Sequence, residues 1–157
     1  MARLLPFVLL FFAGAALAQA PFSYKPFGVL ADLMAGILFP NSETIFGVTE
    51  HAPKNDMEWT RVQSSAVVLV EAGNLLLLPG RKLETGGLVP AGSVAWKKHV
   101  QALEEAARGA YAAALTKDAE RVFDACEPLY QACFTCHETY RFCATCPEAP
   151  PRESHSH

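Results

Sequence analysis

The chain has no basic stripe. Its 157 residues carry 13 lysines and arginines against 16 acidic residues, a formal charge of −3, and the cations are scattered. A mildly acidic chain of this kind would repel a phosphate backbone, which sets nucleic acid aside as a partner. Past the first twenty residues there is no apolar run long enough to cross a bilayer. No stretch alternates apolar and polar residues in the manner of a strand. Neither a nucleophile triad nor a paired-carboxylate site can be assembled, so the sequence predicts a protein that is not an enzyme.

What is present begins at the N-terminus. "MARLLPFVLLFFAGAALAQA" has a basic start at Arg3, an apolar run from Leu4 to Leu17 and small residues at its end, the layout of a secretory signal peptide. Cleavage after Ala18 fits the small-x-small rule; cleavage after Ala20 would set Pro21 beside the scissile bond. The expectation is therefore a signal peptide at 1–18 and export, to the periplasm in a bacterium. Loss of Arg3 with it leaves 12 basic and 16 acidic residues, a formal charge of −4, on a mature chain of one-domain size.

Four helical stripes follow. "KPFGVLADLMAGILF" places Phe27, Leu30, Leu33, Met34, Ile37 and Leu38 at steps of three and four, and Pro40 is expected to end this helix. A further turn is expected behind Asn41 or Ser42, and then a loop over "TEHAPKND". Asp56 is the expected N-cap of a second helix to about Leu78, with Trp59, Val62, Ala66, Leu69, Gly73, Leu76 and Leu77 inward. "PGRKLETGGLVPAG" breaks the pattern three times and reads as the longest loop. Ser93 caps a third helix whose seam is Trp96, Val100, Leu103, Ala107, Ala110 and Ala114, with a break at Thr116 or Lys117. The last helix carries Val122, Cys126, Leu129, Cys133, Cys136 and Tyr140 inward; Pro128 is expected to kink it or to end a preceding segment. The architecture these stripes predict is all-α, an antiparallel four-helix bundle at 19–146, with a polar, proline-rich disordered tail at 147–157.

Four of the five cysteines lie in "CFTCHETYRFCATC", residues 133–146. The first pair is Cys-x-x-Cys-His, the attachment signature of haem c. Two cysteines one helical turn apart can form thioethers with the two vinyl groups of one porphyrin while the next residue offers its imidazole to the iron. Cys133 and Cys136 are the expected tethers and His137 the proximal iron ligand, for one covalently attached haem near the C-terminal end of the last helix. The alternatives for such a pair are a redox disulfide or half of a zinc site. A four-thiolate zinc site would use Cys133, Cys136, Cys143 and Cys146, but six residues between the pairs leave little room for the usual hairpin.

From about Phe27 to Arg141, the helical pattern, the motif near the C-terminus and "CFTCHETYR" resemble the cytochrome c′ family of four-helix-bundle cytochromes, including its low-spin relatives. The resemblance implies an aromatic and a basic residue beyond the haem histidine, here Tyr140 and Arg141, with Arg141 near the proximal side, where a cation lowers the basicity of His137. It also implies that the first helix covers the distal face. Met34 is then the candidate sixth ligand; if it does not ligate, Leu30, Leu33 and Ile37 form an apolar lid. Met57, His51 and His99 are poorer candidates, His99 because it stands beside a lysine pair on a face that reads as solvated.

The function this implies is a mono-haem c-type cytochrome carrying single electrons between redox partner proteins. The alternative is a five-coordinate haem protein that binds NO or CO for sensing or scavenging. A third reading is a haem-free structural protein held by zinc or disulfides. Maturation would require the haem-attachment machinery. The resemblance further implies a homodimer through the first two helices, although the same apolar residues are needed for each monomer's own core. Three cysteines depart from the family pattern. Cys143 and Cys146 are expected to form a strained disulfide, or to bind a metal with His155 and His157, and Cys126 is expected to act as a small buried apolar residue.

Overall fold

The computed structural model describes residues 24–84 and 86–142. The predicted signal peptide, Cys143, Cys146, His155, His157 and the tail lie outside the described residues. Within them the chain forms four packed helices and, as its only extended pairing, one isolated bridge between Lys82 and Leu88.

The first helix, α1, is composite. An α segment, Leu30–Leu33, leads into a π turn, Met34–Leu38, then a second α segment, Phe39–Phe46, and a closing 3-10 turn, Gly47–Thr49. Asp32 caps its start by accepting a hydrogen bond from the Val29 N–H at 3.0 Å. Phe27, counted on the stripe, lies before this start and is fully exposed. Pro40 does not end the helix as expected. A proline has no N–H to donate, and in a regular α-helix its ring meets the carbonyl four residues back. Here the turn before it is widened: the Phe39 N–H donates to the Met34 carbonyl, five residues back, and the helix passes through Pro40 intact.

Helix α2 spans Asp56–Leu76, α3 spans Val94–Leu115, and α4 spans Ala119–His137 and continues as a π turn, Glu138–Phe142. The N-cap of α2 is Asn55 rather than Asp56. Its side chain accepts from the Glu58 N–H at 3.0 Å, while Glu58 accepts from the Lys54 N–H at 2.7 Å, which satisfies two donors that the helix itself cannot. The helix ends at Leu76, two residues short of the expected Leu78. Ser93 caps α3 by accepting from the Trp96 N–H at 3.1 Å, and Asp118 caps α4. Between α3 and α4 the chain turns at Lys117, whose φ of 54° is the left-handed conformation. Helix α4 does not end before Pro128 but runs through it. Pro128 and Asp124, whose carbonyl loses its usual partner, are both exposed, so water can take that partner's place.

Contacts fix the up-down-up-down order. The Leu30 N–H donates to the Lys82 carbonyl at 2.8 Å, and the Trp96 indole donates to the Leu76 carbonyl at 3.0 Å. The Trp96 ring meets the Tyr140 ring edge-on, centroids 4.9 Å apart. One end of the bundle therefore gathers the start of α1, the end of α2, the start of α3 and the end of α4. At the other end Gln63 reaches the Ala114 carbonyl at 3.2 Å, and Cys126 lies against Ile45. The core runs between them through Ile45, Leu69, Trp96, Val122 and Leu129, all essentially inaccessible to water.

The loop between α2 and α3 is anchored by Arg81, which is 5 % exposed. Its guanidinium donates to the Gly28 carbonyl at 3.0 Å and to the Leu75 carbonyl at 3.4 Å, while its Nε has no hydrogen-bond partner. Gly80 and Gly86 flank this anchor at φ of 84° and 92°, values that an L side chain rarely adopts. No described helix is long and apolar enough to cross a membrane.

Candidate functional site

The end of α4 positions the motif. Val122, Leu129 and Ala132 are buried and hold the helix against the core; Cys126, Cys133 and Cys136 follow the same side and are half-buried. Cys133 and Cys136 are about 4.5 Å apart along the helix axis and close in azimuth, so both thiols serve one face. All three described cysteines are free thiols. Burial pushes the Cys133 thiol up, and burial with the neighbouring Cys133 pushes Cys136 up to about 11. Both are therefore thiols rather than thiolates at neutral pH.

His137 follows at the end of the α helix and is half-buried. Burial, and then the positive charge of Arg141, lower its pKa. Its imidazole is accordingly neutral above pH 6.5, with a ring nitrogen lone pair to offer a metal. Arg141 is exposed on the π turn, one turn beyond His137.

Two residues outside the motif join it. Tyr140 packs edge-on against Trp96 and against His99, whose ring centroid is 5.7 Å away. The His99 Nε2 lies 3.5 Å from the Thr139 hydroxyl. His99 is therefore half-buried against the last turns of α4 rather than on a solvated face. A signal for this was present: His99 stands three residues past Trp96, on the edge of the α3 seam, and the flanking lysines masked it.

Met34 sits at the first position of the π turn in α1, half-buried and packed against the core. Helix α1 runs antiparallel to α4, and Ile45 lies against Cys126. Eleven residues back along α1 is Met34 and eleven forward along α4 is His137, each about 16 Å from that contact, so the two residues are at one level of the bundle. Leu33 is buried beside Met34, while Leu30 and Ile37 are partly buried. His51 and Met57 belong to the opposite end and are exposed.

The chemistry of these residues fits haem c. Two free cysteines on one helical face, followed by a neutral imidazole, are the groups that covalent attachment requires, and α1 offers a thioether at the same level. Among the described residues no cluster of three or more His, Cys, Asp or Glu side chains could hold a bare metal ion, so a zinc site has no candidate there. Two surface grooves, of about 520 and 380 Å³, lie along α4. The smaller is lined by Phe46, Phe123, Cys126 and Tyr130 among others, and neither is lined by Cys133, Cys136 or His137. No protein-family model, curated protein or solved structure matches this chain.

Proposed function

We propose that the protein is an exported mono-haem c-type cytochrome, cleaved after Ala18, that carries single electrons between redox partners and catalyses no reaction of its own. The observation that carries this reading is the Cys133, Cys136 and His137 set: two half-buried thiols on one face of the last helix, with a neutral imidazole at its end. Bound haem would supply the one-electron chemistry. The chain's own residues do the rest. Cys133 and Cys136 anchor the group to a helix whose cap and core contacts hold it in place. His137 serves as the proximal ligand, and Tyr140, wedged between Trp96 and His99, fixes the turn that follows it. The Arg141 cation beside His137 withdraws basicity from the imidazole and so tunes the iron from outside the coordination shell.

Met34 is proposed as the sixth ligand. Its level opposite His137 and its place at the start of a widened helical turn support this, since such turns re-aim a side chain out of the regular helical register. A thioether ligand raises the reduction potential and closes the site to gases, which suits electron transfer.

The test is an optical spectrum of the exported protein, oxidised and dithionite-reduced, with and without carbon monoxide. A low-spin c-type spectrum that carbon monoxide leaves unchanged is expected, and Met34→Leu is expected to make it high-spin and gas-sensitive. If the unaltered protein already shifts with carbon monoxide, the open-site reading with NO or CO as ligand takes its place. Absence of any haem spectrum in cells with active attachment machinery would sink the assignment.

A further inference from the structure

The cations of this molecule are divided between its two ends, whereas Glu50, Asp56, Glu58, Asp118, Glu120 and Asp124 gather at the end away from the motif. At the end away from the motif Lys117 meets Asp56 at 2.8 Å and Arg121 meets Asp118 at 3.8 Å, while Lys54 and Arg61 have no carboxylate within 4.0 Å among the described residues; along α3, Arg108 meets Glu104 at 3.3 Å. Lys82, Lys97 and Lys98 are exposed, and none has a carboxylate within 4.0 Å among the described residues.

Their positions converge. Lys97 and Lys98 flank the first turns of α3, next to Trp96, whose ring touches Tyr140; Arg141 is the next residue on α4. The Lys82 carbonyl holds the start of α1 at this same end. Arg81, buried beneath, adds a further positive charge without a carboxylate partner among the described residues. The acidic residues nearby are Asp32, engaged in capping α1, with Glu84 and Glu138.

Lys97 and Lys98 stand at the fourth and fifth positions of α3, close to the positive end of its dipole. The N-terminal turn carries the positive end of the dipole, and the first turn of α3 holds no acidic residue, whereas α2 and α4 begin with Asp56, Glu58 and Glu120 at the other end. Exposed cations gathered at one end of a chain of net negative charge serve recognition.

We propose that this end of the bundle, centred on Lys97 and Lys98 and bordered by Lys82 and Arg141, docks a carboxylate-rich surface of a partner protein. That the partner is a redox protein rests on the function proposed above; the charge of its surface does not. Electrostatic docking at this end would bring the partner to the Cys133–His137 turn and turn the acidic end away.

The experiment uses the exported protein and a carboxylate-terminated monolayer as the probe. Adsorbed mass is recorded on a microbalance, and lysine acetylation of the adsorbed protein is mapped by mass spectrometry. Adsorption despite the net negative charge is expected, with Lys82, Lys97 and Lys98 protected and Lys54 and Lys117 as reactive as in solution. The double variant Lys97→Glu/Lys98→Glu is expected to lose roughly tenfold in affinity, as is the unaltered protein when salt is raised to about 0.15 M, whereas Lys54→Glu is not. No adsorption, equal protection at both ends, or indifference to the double variant with its circular dichroism unchanged would overturn the proposal. So would self-association in sedimentation that the double variant abolishes, since the occupant would then be the acidic end of a second copy. Stronger protection on anionic lipid vesicles than on the monolayer would replace the protein partner with a membrane. Mass and footprint do not depend on haem, so a missing haem spectrum would fail the function and leave this face standing.

Discussion

At the scale of single residues, Cys126 shows how surroundings set chemistry. Its thiol donates to the Val122 carbonyl at 3.2 Å and lies against Ile45, and burial pushes its pKa up. A thiol whose folded pKa exceeds the ordinary value of about 8.5 contributes stability that is fully present below that pH and is lost as pH rises through the folded value. Native Cys126 is therefore expected to react with iodoacetamide at pH 8 more slowly than the same residue in urea, and Cys126→Ala to flatten the alkaline fall in stability. Equal rates would show that the thiol is as open as an unfolded one. The sequence revealed the whole α3 seam, because steps of three and four residues leave no other face for Trp96, Val100, Leu103, Ala107, Ala110 and Ala114, and all six are buried; Cys126, expected to be a buried apolar residue, is half-buried and hydrogen-bonded instead. His99 was illegible for the opposite reason: one residue at a seam edge carries no periodic signal, and its lysine neighbours face water.

At the scale of the element, α1 is the instructive case. Its existence and apolar face were legible. Its continuation past Pro40 was not, because a proline rule that assumes regular α geometry cannot foresee that a π turn will remove the clash. Pro40→Ala restores a donor and removes the ring, so α1 is expected to relax to an uninterrupted α-helix over residues 30–46. Amide hydrogen-bond couplings by NMR would report the Phe39 N–H moving from the Met34 carbonyl to that of Ala35; persistence of the five-residue bond would mean that packing, not proline, sets the turn. In the cap of α2 the sequence erred by one residue, as is usual at helix ends where two neighbouring side chains can both cap. Asn55→Ala is expected to cost about 1 kcal/mol. That corresponds to roughly 2–4 °C in thermal midpoint for a chain of this size. An unchanged midpoint would return the cap to Asp56.

For the molecule as a whole, the packing of the four helices was legible because each stripe can be buried only against the others. What a single stripe cannot show is which end is firmly closed. Arg81 bears on this. A guanidinium held out of water on two carbonyls, with one N–H unmatched, is an expensive group to bury, and opening its loop returns it to solvent. Amides of Leu30 and of the Lys82–Val89 loop are therefore expected to exchange with deuterium through a local opening well below the global unfolding free energy, while those around Ile45 and Leu129 exchange only by global unfolding. Arg81→Met should narrow the gap; uniform protection in the unaltered chain would contradict this account. The buried arginine would thus set which end of the fold opens more readily. The end that carries Cys133 and Cys136 is then expected to be the first to reopen, and under the function proposed above that would keep its thiols within reach of the attachment apparatus after the rest of the bundle has formed.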